Sequence, residues 1–232
     1  MGSFAGEFHM ATASVGKAVG AGTGALLIAA VADRGSAAQG WSQNDKLLRE
    51  GDSARNLADL LHFLCILHGR YPGIVDHAAA RIVEPGPRAW IAEAAYAFAG
   101  ERAYLARLAV AAGPVPSTPG GSASDAAVFG QRHAIEMLAQ SERQGCALGA
   151  AMAVILDWAT IRLALDAAAQ RYGIEAPPYA AADPARIGGI ADGFAPGAAQ
   201  RAFLFGAEQV LVQHYGLLDL LESRAAARAG QG

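Results

Sequence analysis

The sequence predicts an all-α protein, read as an antiparallel bundle of four to five long helices with shorter ones between them. Three observations carry this. No alternating run of β-branched and aromatic residues marks a strand. Apolar residues recur at helical spacing through most of the chain. Finally, 53% of the 232 residues are hydrophobic and 17% are charged, enough apolar surface for a sizeable core without staples.

The first ten residues, MGSFAGEFHM, read as a vector-derived leader, which discounts His9, and residues 11–232 read as a single helical domain. A first helix is expected from Thr23 to Arg34, ended by Gly35, and a short one from Asp45 to Arg49. Asp52 or Ser53 then caps a helix running to His68, stopped by Gly69 and Tyr71-Pro72. Pro72 opens a short helix over 73–83, which Pro85-Gly86-Pro87 breaks. Pro87 opens a long helix to Ala112, closed by Gly113-Pro114. Residues 113–124 are dense in Pro, Gly and Ser and read as a loop. The stretch 124–172, with Ser124 or Asp125 as its cap, would exceed 70 Å as one helix, at about 1.5 Å per residue. A break near Gly145 is therefore expected. Residues 173–197 form a long connection with one helical turn over 185–190. A last helix runs from Pro196 or Gly197 to Ala227, and 228–232 should fray.

Composition excludes several classes. The formal net charge is -3, which argues against a nucleic-acid partner. Only two of eighteen basic residues are lysine, Lys17 and Lys46, a pattern that fits genome-wide coding bias. Cys65 and Cys146 lie in apolar helical runs with no metal-ligand spacing and read as buried thiols in a reducing, cytoplasmic setting. No run of 18 strongly apolar residues predicts a stable membrane span. The nearest, 18–32, has a basic start and an Ala-Val-Ala end. It reads as a short first helix, or as a signal that would make the protein secreted or periplasmic. Neither a G-x-S-x-G, a Walker loop, an EF-hand nor an H-E-x-x-H is present.

The informative residues are ionisable groups on apolar helix stripes. In 60–68, LLHFLCILH, His62 and His68 interrupt an apolar window, and Asp59 is placed to orient His62. His77 follows beside Asp76. Glu101 interrupts the stripe Trp90, Ala94, Phe98, Glu101, Leu105, Leu108. A carboxylate there must pair, bind a metal or stay protonated. Asp157 has only apolar helical neighbours, whereas Arg162 and Asp166 read as an ordinary exposed pair. His214 sits within Phe203, Ala207, Val210, His214, Leu217, Leu221. His133 and Glu136 share a face polar enough to be solvated.

Four helices thus offer an ionisable residue at core depth: His62 or His68, Glu101, Asp157 and His214. Such convergence is how helical bundles build metal sites. Over residues 53–227 the arrangement resembles the ferritin-like di-iron proteins in architecture. The family's Glu-x-x-His motif is absent: His133-Ala-Ile-Glu136 reverses the order, and Glu208 and His214 are six apart. The resemblance implies iron or another transition metal held by core carboxylates and histidines, hence a metal-dependent oxidoreductase. The residues themselves favour a non-catalytic helical protein that binds a small apolar ligand or self-associates as a homo-oligomer. Metal ligands bond near 2 Å, so convergence of the Glu101 and Asp157 carboxylates on a histidine separates the two.

Overall fold

The computed structural model describes residues 21–179 and 183–230, and all regular structure among them is helical. The expected leader, His9, the start of the 18–32 run and the last two residues lie outside the described residues. The helices are α1 (Thr23–Arg34), α2 (Ser36–Gln39), α3 (Asp45–Arg49), α4 (Ser53–His68), α5 (Ile74–Arg81), α6 (Pro85–Ala112), α7 (Gly121–Ala139), α8 (Cys146–Tyr172), α9 (Pro184–Ala191) and α10 (Ala198–Ala229). A 3-10 turn, Trp41–Gln43, joins α2 to α3.

Helix α8 is the axis of the molecule. It packs most extensively on α10, and also on α5, α6, α1 and α7. It is buried on all its faces, as a helix apolar all round must be. By length and composition it could cross a bilayer, more readily than the 18–32 run, but 83% of its most apolar window is buried inside the protein. Its contact with α10 is a backbone crossing. A Cβ on Gly149 would lie 2.0 Å from the Phe203 carbonyl oxygen, and one on Gly206 would lie 2.1 Å from that of Cys146. The two glycines let the axes approach and bring the middle of α10 against Asp157. Helix α1 covers α9 and α10 and buries Leu27 completely.

The ends of α1, α3 and α4 stand as the sequence predicts. Elsewhere the terminal chemistry differs. Pro85-Gly86-Pro87 begins α6 instead of preceding it, because proline is tolerated in the first turn, where the N–H has no helical partner. Pro72 lies outside α5, whose start is instead held by Asp76 accepting the Gly73 N–H. Helix α7 starts three residues before Ser124, from Gly120 in the left-handed conformation, so neither Ser124 nor Asp125 is its cap. Asp52 does not cap α4 through its side chain; that carboxylate lies 3.0 Å from the Arg228 Nε. The expected break at Gly145 is a six-residue connection, 140–145. Fraying from Arg228 does not occur. Arg228 is buried and helical because it binds Asp59 and Asn56 on α4.

Candidate functional site

Three of the interrupting residues meet in one buried chain of hydrogen bonds. His68 ends the stripe Leu57, Leu61, Leu64 on α4, Asp157 lies midway along α8, and His214 lies midway along α10. The Nε2 atoms of His68 and His214 are 2.8 Å apart, and His214 Nδ1 is 2.7 Å from Asp157 Oδ2. Beyond Asp157 stands Ser36, which donates its hydroxyl to Oδ2 at 2.6 Å and its backbone N–H to Oδ1 at 2.7 Å. The carboxylate thereby satisfies the first N–H of α2. Gly35 makes room for it, since a Cβ there would sit 2.5 Å from Asp157 Oδ1. Asp157 and His214 are each 1% exposed, and His68 is 4% exposed.

Charge in this chain is settled by its contacts. Burial pushes the Asp157 carboxyl up, but the hydrogen bonds and charge of His214 and the two bonds from Ser36 outweigh it and hold it below the usual range. Burial, then the nearby His214 and Arg102, hold His68 well below the ordinary imidazole value. An ionised Asp157 accepts a hydrogen bond from the His214 Nδ1–H. A single proton between the two facing Nε2 atoms then satisfies both rings. His68 is packed edge-on against Trp158, Phe98 and His214, at centroid distances of 5.6, 6.3 and 4.9 Å.

Glu101 forms a second, adjoining cluster. Its Oε2 accepts from Trp158 Nε1 at 3.0 Å and its Oε1 from Arg162 Nη1 at 2.7 Å. Arg162 also donates to Asp166 at 2.7 Å and to the Pro177 carbonyl at 2.6 Å. The expected Arg162–Asp166 pair therefore exists, but Arg162 is buried, not on an exposed face. Tyr104 closes the group by donating to Asp166 at 3.0 Å. Trp158 links the clusters, since it bonds Glu101 through its N–H and packs its ring against His68.

The other singled-out residues lie elsewhere. His62 is half-buried, with Nε2 2.7 Å from the Gly113 carbonyl, so it ties α4 to the loop after α6. Asp59 does not orient it. Arg224 reaches that carboxylate with two bonds, at 2.9 and 2.8 Å, and Arg228 reaches it at 2.6 Å. His77 is half-buried on α5, His133 is exposed, and Glu136 pairs with Arg132 at 2.8 Å.

The donor set does not fit a metal. Among the described residues no group of three or more His, Cys, Asp and Glu side chains is arranged to hold one. The gap of 2.8 Å between the histidine nitrogens is filled by a hydrogen bond and is too short for a shared ion, which needs about 2 Å on each side. Each carboxylate already has its own partners, Arg162 and Trp158 for Glu101, Ser36 and His214 for Asp157. Both cysteines are free thiols, Cys146 buried and Cys65 partly so, and burial pushes the Cys65 thiol up.

Beside the clusters lies a cavity of about 370 Å³ between α6, the 177–179 segment and the start of α9. Trp90, Ala94, Phe98 and Glu101, four members of the α6 stripe, line it together with Ile155 and Tyr179. Phe98 and Glu101 separate it from His68 and Trp158. Ser36, Trp158, Arg162 and Tyr179 were not anticipated as site residues. Trp158 alone left a signal, as the neighbour of Asp157. Ser36 and Tyr179 come from short segments whose positions depend on helices distant in the chain.

Residues 31–229 match a family of unknown function, DUF6975, and the chain belongs to that family. Among curated proteins and among solved structures, none matches it.

Proposed function

For this family member we propose a non-catalytic role, the binding of a small, largely apolar ligand in the cavity lined by α6. The observation that supports it is the cavity itself. It has the dimensions of a small-molecule site, walls made mostly of aromatic and alanine side chains, and one buried carboxylate, Glu101, at its inner end. In this reading α4, α6, α7, α8 and α10 form one antiparallel bundle, ferritin-like in architecture, with the pocket at its side. Short connections such as 140–145 support antiparallel neighbours. Two free thiols support a cytoplasmic setting.

Ala97 lines the cavity. Ala97→Trp is expected to fill it and weaken binding of a naphthalene probe by at least ~tenfold, read by calorimetry, without loss of helicity. If the unmodified protein binds no apolar probe, the proposal fails.

Self-association is a second reading, supported by one observation. The outer faces of α7 and α10 expose Phe129, Met137, Phe205, Val212 and Tyr215, more apolar surface than scattered single residues account for. A monomeric mass by light scattering at high protein concentration would remove it.

A further inference from the structure

We infer that the cavity selects an organic cation, an amine or guanidine carried on a flat apolar body. This rests on the small-ligand reading above and adds the charge of the ligand. The lining carries three carboxylates, Glu93, Glu101 and Asp183, against one guanidinium, Arg186. Arg186 is itself paired with Glu93 at 2.9 Å. The nearest further cation is Arg162, behind Glu101, and it is shared with Asp166. Negative charge is therefore in excess around a site walled by low-polarity groups, where charge is poorly screened.

The hydrogen-bonding capacity is lopsided in the same sense. Tyr179 donates its hydroxyl to the Ile155 carbonyl, Trp158 its N–H to Glu101, and Arg162 its three nitrogens to Glu101, Asp166 and Pro177. Those donors are committed to the protein. Each Glu101 oxygen accepts a single bond, so each retains a lone pair. A ligand reaching the inner end meets acceptors and must bring donors. Trp90, Phe98 and Tyr179 supply aromatic rings around it, surfaces that attract a cation as well as an apolar body. Burial and the charge of Glu101 both push the Tyr179 phenol up, as a region of negative potential requires. A carboxylate or phosphate ligand would face three like charges.

The test compares three probes of one shape, 1-naphthalenemethylamine, 1-naphthalenemethanol and 1-naphthoate, by calorimetry on the full chain at pH 7. The amine is expected to bind at least ~tenfold tighter than the alcohol, and the naphthoate weakest. Glu101→Gln should remove most of the advantage of the amine and leave the alcohol unchanged. If that variant does not fold, Glu93→Gln with Asp183→Asn replaces it. Both of those residues are exposed, and the pair should reduce amine binding at least ~threefold through charge alone. An alcohol that binds as tightly as the amine, or a naphthoate that binds tightest, overturns the charge inference and leaves the ligand reading standing. Failure of all three to bind overturns both.

Discussion

His68 and His214 meet where neither ring reaches water, and their surroundings determine what acid does to the protein. The groups facing the pair are Asp157 on α8, Arg102 on α6 with its partner Asp76 on α5, and the rings of Phe98 and Trp158. The unfolded chain protonates His68 near pH 6.5, whereas the folded chain resists that proton because the site is buried and already lies beside His214 and Arg102. Its contribution to stability is complete above about pH 6.5 and is lost as pH falls below that value, by up to about 1.4 kcal/mol per pH unit. Asp157 is also lowered in the folded state, so its contribution is present above about pH 3.9 and lost as pH falls further. Urea midpoints should therefore drop between pH 7.5 and 5.5. His68→Leu should flatten that interval and leave the loss below pH 4. An equal drop in the variant would assign the effect to another group. Residue type and stripe position alone pointed to His68, Glu101, Asp157 and His214. Which of them bond to each other depends on helix rotation and crossing, and four helices packed by tertiary contacts set those.

The crossing of α8 and α10 depends on two glycines that local propensity would disfavour. Alanine is the better helix former by about 1 kcal/mol, yet at position 149 its methyl group would collide with backbone at Phe203. The carbonyl cannot rotate away, so the helices must separate. Gly149→Ala is expected to cost about 1–3 kcal/mol, the usual range for overpacking. Gly130, within α7, has open space where a Cβ would stand, with nothing within 4 Å, and Gly130→Ala should stabilise by up to about 1 kcal/mol. Opposite signs for the same substitution, measured by urea denaturation, test whether the crossing and not glycine itself sets the effect. Helix extents were largely legible because apolar spacing and breakers are local signals. The caps were less so. Asp52, Ser124 and Asp125 have capping side chains, but Asp52 is drawn to Arg228 and α7 begins a turn early.

Over the whole molecule, the C-terminal end of α10 is fastened to the start of α4 by charge. Asp59 is fully buried and takes three bonds from Arg224 and Arg228. The same arginines hold the loop after α6 through the Pro116 carbonyl and the Thr118 hydroxyl. Removing Asp59 alone leaves two guanidiniums buried beside one another, and Asp59→Leu should cost about 3–5 kcal/mol. Changing Asp59 to Leu together with Arg224→Met and Arg228→Met should recover most of that loss, because apolar groups of similar volume need no charged partner. Equilibrium unfolding of the single and triple variants decides this. Equal losses in both would mean that the network contributes through packing rather than charge.

The sequence by itself determined the helical class, most helix extents and four of the buried ionisable residues. Those follow from spacing along one chain segment and from the cost of placing a charge on an apolar stripe. The partners were decided by the tertiary structure: Ser36 for Asp157, His68 for His214, Arg162 for Glu101, and Arg224 with Arg228 for Asp59. The cavity was decided there too, since the α6 stripe lines it only with residues 177–179 and α9 alongside. A hydrogen bond needs its atoms within a few tenths of an ångström, and hydrophobic periodicity places a side chain only to a face. Distance across the fold is set when helices dock, and the two glycines at the α8–α10 crossing show how few atoms control it.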